Sequence, residues 1–344
     1  MSVSMDRFNR RRPFRHIVPY PPGINDYCGP DVSQTSWCHF LKGTDWFEVK
    51  QTSIQQCIDD DVIPCMVGGD NELIECNRLE WPIAFLPNSV FFDSGSRWKN
   101  SAYFRSPWVY SILLLNDEDL NAGWQLTNSK FRGAISRVRH FLRPTIYDAA
   151  FYDGPQLWDV FLFYKSRDFN MDAIAQRWPR FTTVQNGYFT YEELRYKAQR
   201  SRFCIVGSSW DTYGVAAHEI MAEGCPALVC DPGTLPGNVD IGRQALYLKN
   251  EPDPQRMGSN VRELEAAACE VLKWNRRDVR EATLQWADPA VLREQWRQAM
   301  YGLHPDQRTK AVPKPTVYCF AQNRYVPRLE ARCVQEDLAH FDPT

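Results

Sequence analysis

The chain has 344 residues, 44% hydrophobic and 24% charged, which excludes general disorder and, at about 150 residues per domain, points to two domains. A formal net charge of -2 excludes a globally basic nucleic-acid binder. No apolar run approaches the about 20 residues of a membrane span, and no charged-then-apolar leader opens the sequence.

Residues 1–15 carry Arg7, Arg10, Arg11, Arg12 and Arg15 and read as a basic, flexible tail. From residue 16 onward, short apolar runs at 16–20, 46–50, 62–67, 82–86 and 108–115 read as strands. Amphipathic stretches at 32–41, 53–59, 97–104 and 130–141 read as the helices between them. Such alternation predicts a parallel sheet covered on both faces. The turn-rich stretch 143–156 (RPTIYDAAFYDGPQ) interrupts the rhythm and reads as a linker.

The alternation then resumes, with strands at 157–164, 181–185, 202–206, 227–230 and 245–249. Helices at 171–177, 191–200 and 215–223 lie among them, and Thr190 with Glu193 forms a capping box opening the second. Helices at 260–274, 277–286 and 289–301 follow, and a proline-bearing connection leads to a helix expected at 326–340. The expected fold is α/β, with two Rossmann-like domains, 16–142 and 157–304, facing a central crevice. The extension 305–344 is expected to return to the first domain. The eleven cysteines are an odd number with no CxxC spacing, which argues against a disulfide framework or zinc ribbon and for a reducing, cytoplasmic location. Cys204 and Cys230 sit inside apolar runs, where a thiol acts as a small hydrophobe.

Residues 202–231 (RFCIVGSSWDTYGVAAHEIMAEGCPALVCD) carry the most chemistry. A buried strand ends in the small turn Gly207-Ser208-Ser209, and a helix opens at Tyr213-Gly214 and stops at Gly224. Free backbone N–H groups at that helix start would face the carboxyl end of the sheet, where phosphate binds well. Asp211 on the loop and Glu219 two turns along the helix would face the same crevice.

This segment resembles the C-terminal half of GT-B glycosyltransferases, in which an acid, seven residues, Glu, and then Ala-x-Gly-x-Pro and an apolar strand form the nucleotide-sugar site. The matching residues are Asp211, Glu219, Ala222, Gly224 and Pro226, with Asp211 one methylene shorter than the usual Glu. The resemblance covers about 45 residues, from Asn186 to Asp231, and is architectural elsewhere. Within that group it is most similar to short enzymes of bacterial surface-glycan clusters and large DNA viruses, the latter implying a host-cell cytoplasm.

The resemblance implies a role for each position. Glu219 would bind the two ribose hydroxyls. Asp211 would face the donor sugar, and the N–H groups of Thr212, Tyr213 and Gly214, beside Ser209, would hold the diphosphate. Lys165 and Arg167, after the first strand of the second half, would stabilise charge developing on the leaving diphosphate. The base would stack at Asn186–Phe189, on Tyr188 or Phe189.

The acceptor, a glycan or other hydroxyl, is assigned to the first half, with Asp26, Asp31, His39 and Asp93 as candidate bases. A retaining enzyme need not have one, and the acid-x7-Glu pattern is commoner among retaining families. No DxD metal motif occurs, and the run Asp59-Asp60-Asp61 reads as a helix end, so neither a metal nor a bound cofactor is expected; the nucleotide-sugar is a substrate. Two other readings stand beside this one. One is a non-catalytic nucleotide-sugar binder. The other is transfer to DNA bases through the arginine-rich tail, which the net charge opposes.

Overall fold

The computed structural model describes residues 12–17, 29–67, 70–86, 103–116, 120, 123, 127, 131, 133–164, 171–185, 187–207, 213–229, 242–247, 261–303, 316–319 and 324–327. In chain order the elements are β1 (Phe14–His16), α1 (Gly29–Leu41), β2 (Phe47–Val49), α2 (Ile54–Asp59), β3 (Ile63–Met66), α3 (Asp70–Leu79), β4 (Ile83–Phe85), β5 (Val109–Leu114) and β6 (Ala134–Arg137). There follow α4 (Pro144–Asp148), β7 (Trp158–Tyr164), α5 (Met171–Arg177), β8 (Phe181–Gln185), α6 (Tyr191–Gln199), β9 (Ser201–Gly207), α7 (Val215–Ala222) and β10 (Ala227–Val229). The last are β11 (Ala245–Tyr247), α8 (Val261–Val271), α9 (Arg276–Trp286), α10 (Pro289–Met300), β12 (Thr316–Cys319) and β13 (Arg324–Pro327).

Two parallel sheets carry the fold. One has six strands in the order β2-β1-β3-β4-β5-β6, the other five in the order β11-β10-β9-β7-β8. The chain divides into two compact units: 1–20 with 41–138 and 293–344, and 21–40 with 139–292. Residues 139–156 thus lie in the second unit, and Pro144 at the first turn opens α4 there with its fixed φ. Among the described residues, no helix is long and apolar enough to cross a membrane.

In the first unit, Met66, Ile83, Phe85, Ile112, Leu114 and Ile135 form the buried core under the six-stranded sheet. In the second, Val160, Leu162, Phe203, Ile205 and Leu228 meet Leu264, Ala268 and Val271 of α8. Each such side chain contributes about 1.5–3 kcal/mol through its removal from water. Cys204 and Cys225 are buried thiols here, and burial pushes Cys225 up to about 12.

Several expectations are corrected. The stretch 130–141 holds the strand β6, hydrogen-bonded in parallel to β5 from Ser111↔Ala134 to Leu114↔Arg137. Ile135, Val138, Phe141 and Leu142 are all buried, and their spacing of three and four residues imitates a helical face. The open edge of β5 decides for strand. The basic tail is structural from Arg12 onward. Arg12 pairs with Asp61 at 2.7 Å, and Arg15, buried on β1, reaches Glu48 at 2.7 Å and Asp60 at 2.5 Å. The Asp59-Asp60-Asp61 run supplies those carboxylates at the end of α2. A helix at 70–79 escaped the sequence reading. Residues 324–327, expected to be helical, pair antiparallel with β12. Residues 1–11, 97–102 and 328–340 lie outside the described residues.

Candidate nucleotide-binding site

Because β7, β8, β9 and β10 run parallel, their carboxyl ends share one edge of the sheet: Tyr164 stands beside Gln185 and Gly207, and Val206 beside Val229. The chain passes from β7 outward to β8 and returns across it to β9, so the strand order reverses between β7 and β9. Crevices at such reversals are where open α/β sheets bind ligands. Lys165 and Arg167 follow β7 in sequence, and Ser209, Asp211 and Thr212 follow β9; all five lie outside the described residues, as do Asp26 and Asp93.

Tyr213, Gly214 and Glu219 can be placed. Gly214, at φ 82° and ψ 45°, turns the chain into α7 in a left-handed conformation that disfavours a Cβ. Tyr213 is 2% exposed; its ring stacks on His218 at 4.6 Å and meets His140 edge-on at 4.9 Å. The His218 Nδ1 lies 2.9 Å from the Gly214 carbonyl oxygen. Burial, helped by the facing His218, holds His140 down to about 3, so that imidazole is neutral at neutral pH. The ring of Tyr213 therefore serves as an anchor between two buried imidazoles, leaving its backbone as the part available to a phosphate.

Glu219 is 2% exposed, and Arg143 Nε donates to its Oε1 at 2.7 Å. Glu223, one turn on, is also buried. It accepts from Tyr191 Oη at 3.1 Å and from Gln199 Nε2 at 2.8 Å, and it pairs with Arg195 at 3.3 Å. The Arg143 guanidinium lies 4.6 Å from the centre of the Tyr191 ring. Burial, then the Glu223 and Glu219 carboxylates, push the Tyr191 phenol upward. From α9, Arg276 donates to the carbonyls of Gly224, Gln199 and Ala198, and Arg280 to those of Ala222, Ile146 and Ala149. Helix α7 is thus held by charged side chains from α9, from α6 and from the start of α4.

The turn before α6 separates the two stacking candidates. Tyr188 is 76% exposed, after Gly187 at φ +87°. Phe189 is 5% exposed and meets Phe163 of β7 edge-on at 5.9 Å, so it offers no face to a base. Thr190 accepts from the Glu193 N–H at 3.2 Å, which makes it the cap of α6.

Of the candidate bases, His39 is exposed near the end of α1, its ring edge-on to Phe40 at 4.9 Å. Asp31 lies in the first turn of α1. Residues 21–40 belong to the compact unit that holds Glu219 and so do not form part of a separate acceptor unit. Arg143 escaped the sequence reading altogether. It is 76 residues from its carboxylate partner and sits in a segment read as linker, and no motif marks it. Among the described residues no group of three His, Cys, Asp or Glu side chains is placed to hold a metal.

No protein-family model matches the sequence, and no curated relative matches it. Solved structures do. S. aureus TarM in complex with fondaparinux, alpha-GlcNAc-glycerol and UDP aligns over 69% of this chain and 55% of its own, with TM-score 0.51 and 9% identity. A second TarM structure aligns over 70% and 55%, with TM-score 0.51 and 10% identity. The chain therefore spans about half the length of the TarM chains it matches. At such identity the likeness is one of fold, and the fold is GT-B: two parallel α/β sheets.

Proposed function

We propose that this protein is a glycosyltransferase that moves a sugar from a nucleotide-sugar donor to a glycan or other hydroxyl acceptor. The observation that carries the reading is Glu219, a buried carboxylate paired with Arg143 on the helix that follows the strand-order reversal. An oriented carboxylate accepts two hydroxyl protons, which suits the vicinal diol of a ribose. The backbone at Tyr213–Gly214 then offers N–H groups to the diphosphate, and Tyr188 offers an exposed ring to the base. Asp211 would face the sugar, while Lys165 and Arg167 would take the charge of the leaving diphosphate in place of a metal ion. The UDP bound in TarM makes a UDP-sugar the first donor to test. Asp26, Asp31, His39 and Asp93 are the groups to examine for deprotonation of the acceptor, and a cytoplasmic site of action fits the thiol chemistry.

The test is calorimetric titration of the purified chain with UDP, GDP, TDP and CDP, with and without EDTA, repeated on Glu219→Gln. One of the four should bind with or without chelator. Glu219→Gln should weaken that binding by about tenfold or more, since a charged hydrogen bond contributes about 1.5–3 kcal/mol. Equal affinity in the variant would refute the ribose assignment. Binding that requires added magnesium or manganese would refute the metal-free reading.

A further inference from the structure

Helix α7 carries two buried carboxylates one turn apart, Glu219 and Glu223, and two such like charges destabilise each other unless each has its own cation. Glu223 draws on α6, through Arg195, Tyr191 and Gln199. Glu219 draws on Arg143, whose Nε is 2.7 Å from Oε1. The same guanidinium covers the ring of Tyr191, the residue that follows the Thr190 cap and the Tyr188–Phe189 turn. Arg143 therefore touches both the proposed ribose ligand and the first residue of the helix behind the proposed base turn.

Resting on the reading of Glu219 as the ribose ligand, we infer that Arg143 is a positioning residue for the nucleotide. It keeps Glu219 an oriented carboxylate and sets the distance between ribose and base recognition. A cation donating to one carboxylate oxygen orients the group without supplying protons to the nucleotide. A ribose diol donates two protons, and only the ionised carboxylate can accept both. Without Arg143, Glu219 is a buried charge beside Glu223, and such a carboxyl takes up a proton near neutral pH.

The groups facing Glu219 from the surrounding elements are Arg143 ahead of α4, Tyr191 and Arg195 on α6, and Arg276 and Arg280 on α9. His218 and Glu223 share its own helix, with Tyr213 and His140 on the His218 side. Of these, Arg195 pairs with Glu223, and Arg276 and Arg280 are committed to backbone carbonyls. Only Arg143 is recorded in an ion pair with Glu219 among the described residues.

The experiment titrates UDP, or whichever of GDP, TDP and CDP binds the wild-type chain, from about pH 5.5 to 8.5. Wild-type affinity should vary by less than about threefold across the range. Arg143→Met should bind about tenfold or more weaker at the acidic end and recover as the pH rises, because each unit of carboxyl titration is a factor of ten. Arg143→Lys, which keeps a cation, should restore the flat profile. A pH-independent Arg143→Met, beside a Glu219→Gln that is clearly weakened, overturns the inference and leaves the ribose assignment intact. An unaffected Glu219→Gln overturns both. Should Arg143→Met fail to fold, the double variant Arg143→Met/Glu219→Gln leaves no buried charge unpaired. It should bind like Glu219→Gln alone, and a further loss of about tenfold would overturn the inference by giving Arg143 a task that does not pass through Glu219.

Discussion

Gly224 ends the helix that carries Glu219, and its replacement separates backbone strain from packing. It holds φ +79°, where a Cβ would meet the Arg276 carbonyl oxygen at 2.7 Å and the Phe151 ring at 2.8 Å. Neither neighbour yields cheaply, since the Arg276 guanidinium also donates back to the Gly224 carbonyl at 2.9 Å. Gly187 supplies the control: φ is +87° and no atom lies within 4 Å of its Cβ position. Both substitutions to Ala incur the left-handed penalty of about 1–2 kcal/mol. Both gain about 0.4–1 kcal/mol from a less flexible unfolded chain. Only Gly224→Ala adds overpacking, at about 1–3 kcal/mol. At about 2–4 °C per kcal/mol for a unit of this size, Gly224→Ala should melt about 2–12 °C below Gly187→Ala in calorimetric scans of the full chain. Equal melting temperatures for the two variants would refute the reasoning, because strain without contact would then explain both.

Tyr188→Ala should leave the melting temperature unchanged and weaken nucleotide binding, since stacking of a base on an aromatic ring contributes about 1–3 kcal/mol. Phe189→Ala should do the reverse, with a loss of about 3–5 kcal/mol of stability in urea titrations; the opposite pattern would exchange their roles. Acid should destabilise both units through buried imidazoles, because burial holds His16 down to about 4 and His140 to about 3. Both are neutral in folded and unfolded chain above the ordinary histidine value of about 6.5. Below it the unfolded chain takes up protons that the folded chain refuses, so stability falls with pH by up to about 1.4 kcal/mol per unit for each histidine. Urea midpoints measured between neutrality and pH 5 should fall, His140→Leu should flatten the slope, and an unchanged slope in that variant would show that His140 is not its source.

What composition and periodicity settled was local. Strand–helix alternation in an uncharged, core-forming chain determines parallel α/β sheets, because apolar runs such as Trp158–Tyr164 are buried on both faces only there. The Thr190 cap, the helix stop at Gly224 and the carboxylate seven residues after Asp211 were legible for the same reason: each depends on neighbours within a few positions. What periodicity misread was 130–141, where a hydrogen-bonding edge more than twenty residues away in sequence outweighed helical spacing. Arg15 looked like tail until Glu48 and Asp60 came beside it. Tyr188 and Phe189 are adjacent aromatics with opposite fates, and only the packing of Phe163 against one of them tells them apart. Arg143 meets Glu219 across 76 residues because α4 and α7 are both bound to Arg280, one through Ile146 and Ala149 and the other through Ala222. A charge pair of that kind leaves no spacing in the sequence, because ions attract through space and helices are joined in three dimensions.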